Sequence, residues 1–170
     1  MILNKGTYYL NESLKGELVD DIEFKLGNKY FLYGENGSGK SSFIINVLIP
    51  ELVKDKEKKF FYIFYASQDF TIQYYVIKSY YKGIKKIDKD LSTIEKALLF
   101  IKNIYLKIDE PICFILDEID QHTDIMNFLN DIDNDKNSII LTSHNITMND
   151  DYTKIFFDNI SENETKIAVK

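Results

Sequence analysis

Short, continuous apolar runs separated by polar segments recur along the chain. They lie at residues 30–33, 60–66, 112–116 and 138–142. Runs of about four to eight apolar residues are typical of strands that are buried on both faces, as in a parallel sheet. The pattern therefore predicts four central strands.

Between the second and third of these runs, the apolar spacing becomes helical. One helical face carries Leu91, Ile94, Leu98, Ile101 and Tyr105. Apolar residues at this spacing form the buried stripe of an amphipathic helix. Helical patterns that alternate with buried strands indicate an α/β fold with a largely parallel sheet.

The two ends of the chain predict strands of another kind. Residues 2–10 predict one strand, and residues 22–26 alternate apolar and charged side chains as a half-buried strand does. We expect these two segments to pair as an antiparallel edge. Residues 154–157 and 166–169 predict a terminal hairpin, with residues 159–164 as its loop.

Length and composition indicate one packed domain over residues 1–170. The chain is 45% hydrophobic and 14% aromatic, which is typical of a globular core. Its one cysteine, Cys113, lies inside an apolar run, as a small buried side chain does in a protein of a reducing compartment.

The N-terminus lacks a signal-peptide pattern, and no apolar run is long enough to span a bilayer. We therefore expect a cytoplasmic protein that reaches a membrane only through a partner chain.

The charged residues narrow the function classes. The net charge is −6, and all 21 basic residues are lysines. The absence of arginine excludes bidentate guanidinium contacts to phosphate, and the acidic balance does not favour nucleic-acid binding. Four lysines cluster at Lys82, Lys85, Lys86 and Lys89, where a solvated face and an anionic contact are both open interpretations.

A glycine-rich loop follows the first central strand. Its residues are Gly34, Glu35, Asn36, Gly37, Ser38, Gly39, Lys40, Ser41 and Ser42, which match the pattern G-x-x-x-x-G-K-[ST]. The preceding strand and the helical pattern after Ser41 give this loop the context of an anion site. We expect Lys40 to reach the β- and γ-phosphates of a nucleoside triphosphate, and Ser41 to bind Mg²⁺.

Polar side chains follow three of the predicted strands, at the edge where ligands bind in open α/β sheets. Asp117 and Glu118 end the run at residues 112–116, Gln68 follows residues 60–66, and His144 follows residues 138–142. Asp117 suits Mg²⁺ held through water, and Glu118 suits orientation of the attacking water. The alternative is that the acids are solvated loop charges and that Gln68 and His144 are satisfied structural residues.

In this order, the motifs resemble the ATP-binding-cassette family. The resemblance rests on the glycine loop, Gln68, the segment at residues 91–95, Asp117 with Glu118, Asp124 and His144. It covers nearly the whole chain and implies a P-loop NTPase fold with a mainly parallel sheet, antiparallel N-terminal edge strands and a helical subdomain. That subdomain, at about residues 69–107, is shorter than in the family.

The resemblance also implies a mechanism. Two copies, or this chain and another cassette ATPase, bind two ATP molecules head to tail. Glu118 then acts as the general base, His144 contacts the γ-phosphate, and Gln68 contacts Mg²⁺ or water. Asp124 crosses the dimer interface, and Ser92 of the signature segment contacts the nucleotide of the partner. The family stacks an aromatic residue on adenine, for which Tyr8 and Tyr9 are the candidates, and we expect Tyr9 to make this contact.

The sequence departs from the family in the signature segment. Thr93 and Ile94 stand where the family has two glycines, and Ser92 with Glu95 also forms a capping box that opens a helix.

The prediction is an Mg²⁺-dependent ATPase whose dimerisation drives a separate partner, such as a membrane transporter. Alternatives are a non-transport cassette ATPase in nucleic-acid repair or defence, an ATP-binding switch with little hydrolysis, and a kinase on the same loop.

Overall fold

A computed structural model of the chain describes residues 1–54, 62–67, 93–107, 109–118, 123–132, 135–143 and 151–170. The strands of these ranges are β1 (Ile2–Leu3), β2 (Gly6–Tyr9), β3 (Lys15–Leu18), β4 (Ile22–Glu23), β5 (Lys29–Gly34), β6 (Tyr62–Ala66), β7 (Ile112–Asp117), β8 (Ser138–Ser143), β9 (Thr153–Ser161) and β10 (Glu164–Val169). The helices are α1 (Lys40–Phe43), a π-helical segment (Ile44–Leu48), α2 (Ile49–Lys54), α3 (Thr93–Lys107) and α4 (Thr123–Asn130).

Eight of the strands form one sheet, in the order β2-β3-β10-β9-β5-β8-β7-β6. The five strands from β9 to β6 are mutually parallel, as the continuous apolar runs predict. At the other side, β10 runs antiparallel to β9, and β2 runs antiparallel to β3. The predicted α/β class, with a mainly parallel central sheet and antiparallel N-terminal edge strands, is confirmed.

The sheet separates two hydrophobic cores. Side chains alternate between the faces of a strand, so Tyr30 and Leu32 of β5 point into one core and Phe31 points into the other. The first core is covered by α1, the π-helical segment, α2 and the N-terminal strands. The second core is covered by Ile101 of α3, and by Ile125 and Leu129 of α4. Both faces of the central strands are therefore buried, which explains their continuous apolar runs.

The N-terminal strands differ in detail from the prediction. Residues 2–10 form β1 and β2 because the chain turns at Lys5, whose N–H donates to Asp21 Oδ1 at 2.7 Å. The expected antiparallel pairing with residues 22–26 is present between β1 and β4, which form a separate two-stranded sheet. Strand β2 pairs instead with β3, a strand that the apolar pattern does not predict.

The terminal hairpin is present with a shorter loop than predicted. Strand β9 continues to Ser161, and Thr165 of β10 pairs with Asn159 through both backbone and side chain. The hairpin also joins the two halves of the sheet, since β9 pairs with β5 and β10 pairs with β3. The sheet is therefore continuous from the N-terminal edge to the central strands.

The helix that follows the glycine loop widens into a π-helical segment before α2. Pro50 explains the change, because proline has no N–H and its ring clashes with the carbonyl four residues earlier, here that of Asn46. The side chain of Asn46 donates a hydrogen bond to Leu10 O at 2.6 Å. None of the helices in the described ranges is long and apolar enough to cross a membrane.

Candidate functional site

The glycine loop connects β5 to α1 and borders a cavity of about 230 Å³. The cavity is lined by residues from three separate parts of the chain: Asn11, Leu14, Gly37, Gly39, Lys40, Ser41, Ser42 and Glu118. Tertiary folding thus brings Glu118 to the loop that carries Lys40 and Ser41.

Gly39 forms the N-terminal boundary of α1. Its φ of 89° lies in the left-handed region, which residues with a side chain rarely adopt. Its carbonyl accepts a hydrogen bond from Phe43 N–H at 2.8 Å, the first of the helix. The N–H groups of a first helical turn have no acceptor within the helix, so the residues Ser41 and Ser42 present the positive end of a helix to the cavity.

Lys40 is held inside the loop. Its side chain is buried, with 4% of the residue exposed, and Nζ donates to Gly34 O at 2.8 Å and to Glu35 O at 3.0 Å. Burial lowers the pKa of Lys40, and the negative charges of Glu118 and Asp117 oppose this shift. The ammonium group therefore lies within electrostatic reach of both acids.

Asp117 ends β7 in a buried position, with 4% of the residue exposed. Both carboxylate oxygens accept hydrogen bonds. Oδ1 accepts one from Thr142 Oγ1 at 2.6 Å, and Oδ2 accepts one from the Tyr65 hydroxyl at 3.2 Å. These bonds fix the carboxylate between the ends of β6 and β8.

Glu118 has a φ of 59°, the one positive value among the non-glycine residues that the structure describes. Such backbone conformations cost about 1–3 kcal/mol and persist where the surroundings determine them. Here the Glu118 N–H donates to Thr142 Oγ1 at 2.8 Å. The sharp change of direction after Asp117 places Glu118 at the cavity while Asp117 stays in the sheet.

Strand β8 lies between β5, which carries the loop, and β7, which carries the acids. Neighbouring strands are about 4.8 Å apart, so the ends of β5 and β7 are separated by about 10 Å. The glycine loop and the two acids therefore follow strands that are separated by one intervening strand.

The donor set fits magnesium. Mg²⁺ prefers hard oxygen ligands and keeps several waters, with one or two carboxylates from the protein. The hydroxyl of Ser41 borders the cavity, and Asp117 lies near Lys40 with both oxygens engaged by protein donors, which favours contact through water. Within the described ranges, no group of three or more His, Cys, Asp or Glu side chains gathers as a closed metal site.

The remaining predicted site residues are placed as follows. Tyr9 is 68% exposed, its ring lies 5.5 Å from Lys15 Nζ, and it does not line the cavity. Ser38 is fully buried, and Asp124 is exposed in the first turn of α4. Gln68, Ser92, His144 and the lysine cluster lie outside the described residues, as does most of the predicted helical subdomain before α3.

Three residues of the site were not predicted from the sequence. Thr142 and Tyr65 hold Asp117, and Asn11 lines the cavity from the turn between β2 and β3. Thr142 carried a signal, since it is a polar residue near the end of an apolar run. No feature of the sequence distinguishes Tyr65 and Asn11 from the other tyrosines and asparagines of the chain.

The glycine loop between a central strand and a helix, with an acid pair at the end of a nearby parallel strand, defines the fold of a P-loop NTPase. The assignment to this fold rests on this geometry and on the match of the loop to the pattern G-x-x-x-x-G-K-[ST].

Comparisons with known proteins add only distant similarities. No family model and no curated protein matches the chain. Among solved structures, it is similar to the Aeropyrum pernix ORC1 protein in complex with DNA, with 19% identity, a TM-score of 0.47 and coverage of 70% of this chain. It is also similar to Drosophila ORC bound to DNA, with 15% identity, a TM-score of 0.44 and coverage of 71% of this chain. The match spans 34% of the length of each of those chains.

Proposed function

We propose that this chain binds ATP with Mg²⁺ at the glycine loop and hydrolyses it to ADP and phosphate. The observation that carries the proposal is the meeting of Lys40, Ser41 and Glu118 at one cavity. A phosphate-binding lysine, a magnesium-binding hydroxyl and a carboxylate beside the position of the γ-phosphate are the parts that triphosphate hydrolysis needs.

Each residue has a separate role in this reaction. Lys40 exchanges its bonds to the carbonyls of Gly34 and Glu35 for bonds to the phosphates, because an anionic oxygen is a stronger acceptor for an ammonium group. Ser41 and Asp117 would hold Mg²⁺, which would neutralise part of the negative charge on the phosphates. Glu118 orients the attacking water and accepts its proton.

The proposal also includes the coupling of ATP hydrolysis to other proteins. A second copy of the chain, or a related ATPase, completes the site, with Ser92, Gln68, His144 and Asp124 in the roles that the cassette resemblance implies. The exposure of Asp124 at the start of α4 supports its availability to a second chain. ATP-driven dimerisation then moves a separate partner, such as a membrane-spanning subunit.

ATP hydrolysis by the wild-type chain and by Lys40→Ala tests the proposal. We expect Mg²⁺-dependent hydrolysis that falls at least about 100-fold in Lys40→Ala, since the charge on the transferring phosphate loses its main counter-charge. Lys54→Ala is the matched control, because Lys54 is exposed and contacts Glu51 at 2.8 Å. Equal hydrolysis by Lys40→Ala and Lys54→Ala contradicts the proposal. Tight ATP binding without turnover in the wild type favours the ATP-binding switch.

A further inference from the structure

The turn between β2 and β3, residues 10–14, packs directly against the glycine loop. Leu10 and Leu14 are buried, and a Cβ atom on Gly39 would lie 2.7 Å from Leu10 Cδ1 and 2.8 Å from Leu14 Cδ2. The carbonyl of Leu10 also accepts the hydrogen bond from Asn46, in the helix after the loop. These contacts hold the turn at a fixed position beside the cavity.

Asn11 lies in this turn and lines the cavity. Its side-chain oxygen, Oδ1, accepts hydrogen bonds from Ser13 N–H at 2.9 Å, from Leu14 N–H at 2.8 Å and from Ser13 Oγ at 3.1 Å. Backbone N–H groups can only donate, so these bonds determine which side of the amide carries the oxygen. The NH₂ group, Nδ2, must therefore face away from the turn.

The Nδ2 group is a donor at the border of a phosphate-binding cavity. Among the described residues, Nδ2 has no hydrogen-bond acceptor, whereas Oδ1 accepts three hydrogen bonds. The other residues of the cavity are those of the glycine loop and Glu118, apart from Leu14 of the same turn. The part of a nucleotide closest to Asn11 is thus its phosphate chain.

We propose that Asn11 is a nucleotide-binding residue whose Nδ2 donates a hydrogen bond to a phosphate oxygen. The inference rests on the proposed function, because it needs a nucleotide at the glycine loop. It adds a second binding element from the N-terminal edge of the sheet, which is far from the loop in sequence. Hydrogen bonds to ionised acceptors are the strong ones, so Asn11 contributes measurably to affinity.

Asn11→Asp tests the contact with almost no change of shape. The aspartate oxygen keeps the three bonds of the turn, while the second oxygen replaces the NH₂ donor by a negative charge. The control is Asn127→Asp, which adds the same charge at an exposed position on α4, beyond the opposite face of the sheet. The probes are the non-hydrolysable β,γ-imido analogue of ATP and inorganic tripolyphosphate, measured by calorimetry with the full chain.

We expect Asn11→Asp to weaken binding of both probes by about 10- to 100-fold, because it removes a hydrogen bond to a charged group and adds a charge that repels the phosphates. Asn127→Asp should bind both probes within about twofold of the wild type, as surface changes away from a site usually do. Asn11→Ser is a second variant, because serine also stabilises such turns but does not reach the phosphate or add charge. Asn11→Ser should weaken binding of both probes by a smaller factor than Asn11→Asp does, and its melting temperature should equal that of the wild type.

The outcomes separate this inference from the proposed function. A wild-type chain that binds neither probe overturns both. A wild-type chain that binds, with Asn11→Asp equal to Asn127→Asp, overturns the role of Asn11 alone. Weaker binding of the ATP analogue with unchanged binding of tripolyphosphate also overturns it, since the contact is then to the nucleoside and not to the phosphates.

Discussion

The hydroxyl of Thr142 donates a hydrogen bond to Asp117 Oδ1 at 2.6 Å and accepts one from Glu118 N–H at 2.8 Å. One side chain of β8 therefore positions both acids at the end of β7. The bond to Asp117 fixes a carboxylate orientation, and the bond to Glu118 supports the left-handed backbone that turns this residue toward the cavity.

Removal of the Thr142 hydroxyl is predicted to cost both stability and turnover. Thr142→Val has nearly the same volume but leaves the Asp117 oxygen and the Glu118 N–H without this partner, so the free energy of unfolding should fall by about 1–3 kcal/mol. The kcat of ATP hydrolysis should fall more than KM changes, since the acids act on the reacting phosphate. Thr142→Ser keeps the hydroxyl and should restore both quantities. Equal kcat in the valine and serine variants contradicts the positioning role.

The role of Glu118 predicts a specific defect in hydrolysis. Glu118→Gln keeps the shape of the side chain but removes the base, and should slow turnover by about 10²–10⁴-fold. Because ATP then persists, an ATP-bound dimer should accumulate, which light scattering detects. Glu110→Gln is the control, at an exposed position away from the cavity. A monomer at saturating ATP counts against the dimer mechanism.

Alanine substitution at two glycines of the loop distinguishes the stability cost of backbone strain from the stability cost of overpacking. Gly37 has a φ of 78° and Gly39 a φ of 89°, so alanine at either position should cost about 1–2 kcal/mol of stability. An added Cβ at Gly37 meets open space, whereas at Gly39 it displaces Leu10 and Leu14. Gly39→Ala should therefore cost about 1–3 kcal/mol more than Gly37→Ala, the usual cost of overpacking. Equal melting temperatures for the two variants contradict the close packing of the β2–β3 turn.

Two buried tyrosines predict opposite responses to loss of the hydroxyl. Tyr30 OH donates to Glu23 O at 3.0 Å and accepts from Lys25 N–H at 2.6 Å, so Tyr30→Phe should destabilise the fold by about 1–3 kcal/mol. Tyr152 OH is buried without a hydrogen-bond partner among the described residues, so Tyr152→Phe should be neutral or stabilising. Denaturant titration of both variants measures the difference, and equal destabilisation contradicts it.

Tyr152 also predicts a pH dependence of the stability of the fold. Burial raises the pKa of Tyr152 to about 12, whereas an unfolded tyrosine has a pKa of about 10. As the pH rises above about 10, the unfolded chain loses this proton first, so the wild type loses stability until the folded state also ionises. Tyr152→Phe lacks this loss. Its stability relative to the wild type should therefore rise between about pH 10 and about pH 12.

Local patterns in the sequence predicted the parts of the fold that depend on local physics. The loop at residues 34–42 was recognisable because its glycine, lysine and serine positions follow from the geometry of a phosphate cradle. The strands β5, β7 and β8 were recognisable because burial on both faces favours continuous apolar residues. Strand β3 was missed, since Lys15–Leu18 has little apolar character and becomes a strand through its pairing with β2 and β10.

By itself, the sequence determined the fold class, the glycine loop and the pairing of Asp117 with Glu118, because each is encoded by residues that are close together in the chain. Only the tertiary structure decided that β8 lies between β5 and β7, that Thr142 and Tyr65 hold Asp117, and that Asn11 lines the same cavity as the glycine loop. These relationships join residues that are far apart in sequence. Strand order and turn packing, which no local pattern encodes, bring them together.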